Sequence, residues 1–296
     1  MAQSKLIWQS KLVLLLVLPF AGADVVLETH WWAQQAAPVV TWTIGLSVLL
    51  GLVTWKLRAA APWGAFAGAA ITACLMFSTV TFPYEPLHTA LMPVLAVAAL
   101  AFVSTLLGRA EKERLGTAES RRGRSASQVA ANLGVAALVS SAFVQSWVID
   151  TRWFTNGALS PALLFALGLA ALAEAAADTA SSEVGQVFGG LPRMITTLRQ
   201  VEPGKDGAIS LAGTLAGVIA AAIVAAAGTW ALGGGRIMFA VSCAGGVFGL
   251  LFDSLLGATL EERGWLNNDL VNYLSTVSAA GFALVLIALI PQFLRM

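Results

Sequence analysis

Long apolar runs alternate along the chain with short clusters of charged, Gly- and Pro-containing positions. The runs fall at about 6–23, 37–55, 62–82, 87–107, 127–149, 159–181, 209–231, 235–257 and 270–293. Most are close to the roughly 20 residues that a helix needs to cross the hydrocarbon layer of a bilayer. The pattern predicts an all-α fold, a polytopic transmembrane helical bundle of about nine spans, or eight if the first is a cleaved signal. That first run is ambiguous: Lys5 and Lys11 precede the stretch Leu12 to Phe20, and Ala21-Gly22-Ala23 resembles a signal-peptidase site. Retention as a short first span is the expectation, and either outcome leaves the downstream topology unchanged.

Composition sharpens this reading. Hydrophobic residues make up 58% of the 296 and charged residues 11%, against about 45–50% and about 25% in soluble domains. Residues 1–296 therefore read as a single integral membrane domain, with cytoplasmic loops at 108–126 and 182–208 inside it. The net charge of +1 gives no reason to expect a nucleic-acid partner. Cys74 and Cys243 sit in apolar runs and read as small hydrophobes. No Arg- and Ser-rich transit peptide is evident, so the cell (inner) membrane is the expected address, with the bilayer as solvent.

Orientation follows from lysine and arginine. With the amino terminus inside, fourteen of the 17 basic residues fall on the cytoplasmic side and only Arg152, Arg236 and Arg295 fall outside. His30 and His88 then lie on the outer side, away from the polar motifs.

Those motifs cluster at the cytoplasmic ends of spans five to nine. AEAAADTASSEVG, from Ala173 to Gly185, places Glu174 and Asp178 four residues apart on one helix face, with Ser182 and Glu183 a turn beyond. Carboxylates in a membrane are costly unless a cation needs them, which suggests Mg²⁺ ligation beside a polyphosphate. LPRMITTLRQVEPGKDGAISLAGT, from Leu191 to Thr214, supplies turns at Pro203-Gly204 and Asp206-Gly207, the cations Arg193 and Lys205, and the start of a helix. Glycine amides and a helix N-terminus suit phosphate. Asp253 is a lone carboxylate in the apolar stretch GGVFGLLFDSLLGATLEE, and is expected to share Mg²⁺ with Asp178. RSASQVAANLG adds Arg124, Gln128 and Asn132, and NNDLVNYLST adds Asn268, Asp269 and Asn272. Capping accounts for the earliest polar positions of these last two segments, but not for Asn132 and Asn272.

From about Leu46 onward these segments resemble an integral membrane family, formerly of unknown function, that includes transmembrane protein nineteen of animals and the phytyl-phosphate kinase of plant tocopherol synthesis. The family is distantly similar to dolichol kinase and phosphatidate cytidylyltransferase. The resemblance implies a Mg²⁺-dependent kinase that uses a nucleoside triphosphate, CTP above all, to convert an isoprenoid monophosphate lipid to its diphosphate. It implies Asp178, Glu183 and Asp253 as the catalytic, metal-holding carboxylates. Substrate and nucleotide contacts would come from Ser182, Arg193, Thr196, Thr197, Lys205, Gly207, Ser210, Ser254, Asn268, Asp269 and Asn272, with Arg124, Gln128 and Asn132 added from the fifth span. The alternatives are a cytidylyltransferase that forms a CDP-lipid and an ion or small-molecule transporter. Some relatives carry a Cys- and His-containing insertion after the GATL segment. It is missing here, so no zinc-like element is expected.

Overall fold

A computed structural model describes residues 6–118, 122–151 and 161–289, which leaves Lys5, Arg121, Arg152 and Arg295 outside the described residues. The chain is a helical bundle of α1 (Ile7–Gln35), α2 (Ala37–Lys56), α3 (Pro62–Ser78), α4 (Leu91–Leu106), α5 (Arg109–Leu115), α6 (Ala126–Ser140), α7 (Ala142–Thr151), α8 (Pro161–Phe188), α9 (Leu211–Ala231), α10 (Arg236–Leu256) and α11 (Asn268–Leu289). One π-helical turn, Gly257–Glu261, prolongs α10. The short strands β1 (Arg193–Met194) and β2 (Ala208–Ile209) pair antiparallel, with Arg193 opposite Ile209 and Met194 opposite Ala208.

Among the described residues six helices, namely α1, α2, α8, α9, α10 with its π turn, and α11, are long and apolar enough to cross a membrane alone. The pair α4–α5, bent by 65°, would add a seventh. The expected count of about nine would need α3 and α6 to cross as well, and these have only 17 and 15 residues.

Several expected boundaries are corrected. The first helix runs for 29 residues straight through Ala21-Gly22-Ala23, with Val13, Val17 and Ala21 buried in the bundle. The fifth run, 127–149, is broken at Ser141. This residue is extended, and its hydroxyl accepts the Val144 N–H, starting a new helix instead of continuing the old one. The sixth run continues as α8 to Phe188, so Ser182 to Phe188 are helical and not loop. It stops only where Gly189-Gly190 follow, Gly190 taking the left-handed conformation at φ +62°. The 108–126 segment likewise contains α5, within which Lys112 is buried.

The bundle is built around α8. Its apolar window is 83% buried, against 17–44% for the other long helices, and it packs on α4, α6, α9, α10 and α11. Alanine and glycine permit this. A Cβ at Gly249 of α10 would collide with the Glu174 side chain, and one at Gly246 with Ala173, so α8 and α10 approach almost backbone to backbone.

The polar segments gather at one end. Gln9 and Ser10 of α1 bond to Asn267 and Asp269, Ala61 donates to the Arg124 carbonyl, and Gly207 abuts Ala258. At the other end Trp32 packs on Phe82 and His88 on Trp230.

Candidate functional site

Asp178 and Asp253 face one cavity of about 240 Å³. Asp178 lies on α8 where its alanine-rich core gives way to the polar TASSEVG segment, and Asp253 lies on α10 one turn before the π turn. Ser181, Ser182 and Gly185 continue the Asp178 face, while Ser254, Gly257 and Glu261 continue the α10 face. Asp253, Gly257 and Glu261 are four residues apart in succession, which aligns them on one side of the helix.

The loop between α8 and α9 closes the cavity with Pro192 and the run Pro203 to Ala208. Ser210 is the N-cap of α9 and accepts the Gly213 N–H at 3.1 Å, and it too lines the cavity. Gly207 holds φ +75° and has no room for a side chain against Ala258. Glycine is required there on both counts.

Electrostatics divide the acids sharply. Among the described residues, neither carboxylate oxygen of Glu174, nor Oδ1 of Asp253, accepts a hydrogen bond. The Ser275 hydroxyl lies beside both but donates to the Asn272 carbonyl at 2.9 Å. Glu174, Asp178 and Asp253 are within electrostatic reach of one another, and Asp178 also feels Arg124. Glu183 differs: it is ion-paired with Lys112 and accepts from Thr105 at 3.2 Å. In the loop, Lys205 pairs with Glu262 at 2.8 Å, which holds its ammonium above the usual lysine range. Burial, reinforced by Glu262 and opposed by Lys205, raises the Asp206 carboxyl above the ordinary range.

A model of the family described as Integral membrane protein DUF92 matches residues 45–280. The chain belongs to this DUF92 family. It is 30% identical to an uncharacterised membrane protein of Synechocystis over 87% of this chain and 95% of that one. It is 31% identical to the chloroplastic protein VTE6 of Arabidopsis thaliana over 62% of this chain and 54% of that one. An uncharacterised membrane protein of Methanocaldococcus jannaschii is 44% identical over 37% of this chain, a match that spans 45% of the archaeal protein. No solved structure matches.

Across this DUF92 chain, the cavity brings together Asp178, Ser182, Lys205, Gly207, Ser210, Asp253, Ser254 and Asn268 of the residues singled out by sequence. Others lie elsewhere. Glu183 is turned toward Lys112, on the α4–α5 side of α8. Arg193 folds back on the Leu198 carbonyl at 2.7 Å and is exposed, as are Thr196 and Thr197. Gln128 completes a capping box with Ser125, so its amide oxygen is already occupied by the Ser125 N–H. Asp269 accepts from Ser10 at 2.6 Å and secures α11 to α1, and Asn272 is buried nearby without lining the cavity. Arg124 and Asn132 line a second, larger cavity on the neighbouring face of α8. Glu261 and Asp206 were not singled out from sequence. The eight-residue spacing from Asp253, two four-residue steps through Gly257, was the available signal for Glu261.

Proposed function

We propose that the protein is a membrane-embedded kinase that transfers a phosphoryl group from a nucleoside triphosphate, CTP by preference, to an isoprenoid monophosphate such as phytyl phosphate. The observation carrying this reading is the convergence of Asp178 and Asp253 on one small cavity with a glycine-turned loop, Lys205 and the capped start of α9. The resemblance to a family that includes the plant phytyl-phosphate kinase supports this reaction class. The lysine and arginine distribution supports a site at the cytoplasmic face of the cell membrane.

The donor set fits a divalent cation. Asp253 and Glu174 carry buried carboxylate oxygens without hydrogen bonds, and a buried anion of that kind is costly until a cation joins it. Among the described residues no group of three His, Cys, Asp or Glu side chains is disposed to hold a metal ion alone. Mg²⁺ is commonly held by one or two carboxylates with substrate phosphates completing its shell, a role that falls to Asp178 and Asp253. When bound, the ion neutralises charge on the triphosphate.

The rest is positioning. The loop amides around Gly204 and Gly207 and the start of α9 receive phosphate oxygens, while Lys205 exchanges Glu262 for the donor's phosphates. An oxygen of the acceptor monophosphate attacks the γ-phosphorus as the bridging oxygen leaves with the nucleoside diphosphate. One P–O bond forms and one breaks, and the protein needs no covalent intermediate.

The test is full-length protein in nanodiscs, supplied with labelled CTP, GTP or ATP and phytyl monophosphate, with Asp178→Ala and Asp253→Ala as controls. Phytyl diphosphate plus nucleoside diphosphate, lost in both variants, is the expected result. Release of pyrophosphate with a CDP-lipid would establish a cytidylyltransferase instead. Solute flux in liposomes without nucleotide turnover would establish a transporter.

A further inference from the structure

A second cavity, of about 580 Å³, lies between α2, α3, α4 and α6 and reaches α8 at Ala175. Its walls are apolar over most of their length, with Leu50, Val94, Val97, Phe102 and Leu133 prominent. Its polar groups include the arginines 58, 109 and 124, which come from three separate segments of the chain. Arg109 is shared with Glu113 at 3.1 Å, and Arg124 donates to the Thr179 hydroxyl at 3.2 Å. The Arg58 guanidinium makes no hydrogen bond or ion pair among the described residues, although its backbone holds φ +57°. Asn132, nine-tenths buried, also lines the cavity, and its amide makes no hydrogen bond among the described residues.

We propose that this cavity is the acceptor site, holding the chain of a single-tailed lipid monophosphate between α2, α4 and α6 with its phosphate against Arg58, Arg109 and Arg124. The assignment rests on the kinase reading and adds to it where the lipid lies. Charge complementarity names the occupant: three arginines against one glutamate would leave a neutral lipid with no headgroup partner, whereas a dianionic phosphate matches guanidinium forks. Size agrees, since the cavity falls in the roughly 300–1,000 Å³ range typical of small-ligand sites. Position agrees as well. Ala175 and Asp178 are three residues apart on α8, hence about 60° apart around its axis, so the two cavities are neighbours. Arg124 stands on the seam, bonded to Thr179 and felt by Asp178. Acceptor phosphate and donor triphosphate would thus approach from adjoining faces of one helix.

Binding of phytyl monophosphate, phytol and inorganic phosphate to full-length protein in nanodiscs, without nucleotide, tests the assignment. The variants are Arg58→Gln with Arg109→Gln, which leave the donor cavity untouched, and Ala98→Phe, which fills the apolar wall. The double variant is expected to weaken monophosphate binding about tenfold or more while phytol binding stays the same. Ala98→Phe is expected to weaken both lipids, and inorganic phosphate is expected to bind far more weakly than the lipid. Unchanged binding of CTP with Mg²⁺ in all variants would show that they fold. Monophosphate binding and acceptor KM unaffected by these substitutions would overturn the site and leave the kinase reading standing. Arginine-dependent lipid binding without any phosphoryl transfer would do the reverse.

Discussion

Two buried acidic regions flank α8, and the bundle treats them in opposite ways. Toward α4 and α5, Glu183 meets Lys112, whose ammonium also donates to the Ser104 and Thr105 carbonyls at 2.9 Å each. All three N–H groups of that lysine are used, and Thr105 adds a donor to the glutamate. Toward α10, Glu174 is buried and Asp253 half-buried, and among the described residues both oxygens of Glu174 and Oδ1 of Asp253 accept nothing. On these two sides of α8, the first arrangement is complete without a ligand and the second is not. A self-satisfied ion pair organises the fold, whereas an uncompensated pair of acids calls for a cation from outside.

The largest expected effect breaks the complete side. Glu183→Ala strands the Lys112 charge and should lower stability by about 3–5 kcal/mol, read as a fall in melting temperature in detergent. A double replacement, Lys112→Met with Glu183→Leu, should recover most of the loss. If Glu183→Ala instead folds normally and fails only in turnover, Glu183 belongs with the functional acids.

Next comes the incomplete side. Asp178→Asn and Asp253→Asn should each cut turnover by about 10²–10³-fold, with thermal stability unchanged or raised for Asp253→Asn, where a carboxylate with a buried, unbonded oxygen is removed. Lys205→Met should raise the nucleotide KM by about tenfold and leave the acceptor KM alone. The smallest effect is Gln128→Ala, about 1 kcal/mol of stability through the lost cap, with both KM values unchanged.

Much of the architecture could be read in advance because a bilayer permits few solutions. Apolar runs of about span length and the one-sided lysines and arginines were enough to place the polar segments together at one end, and the meeting of Gln9 with Asn267 and of Gly207 with Ala258 there agrees. The convergence of Asp178 and Asp253 was legible for the same reason: each is a charge that nothing nearby in sequence neutralises. What escaped was pairing between distant segments. Lys112 lies in the run EKERL, which looks solvated, yet it is buried against α8. Gln128 reads as a ligand alongside a capping reading of its segment, and its amide is engaged in the capping box with Ser125. Arg193 and Thr196–Thr197 sit in the right loop, but the β1–β2 pairing and the Leu198 turn present them to solvent. The cavity between α2, α3, α4 and α6 could not be foreseen, since neighbouring runs do not reveal which helices leave space between them.

The most direct measurement of the central claim is the stoichiometry of Mn²⁺, as a spectroscopic stand-in for Mg²⁺, bound to the protein in nanodiscs with and without a non-hydrolysable CTP analogue. The account predicts one tightly held ion per chain that requires the nucleotide, lost in Asp178→Asn and lost equally in Asp253→Asn, but kept when Arg193 is replaced by alanine. Retention of that ion in either aspartate variant would contradict it.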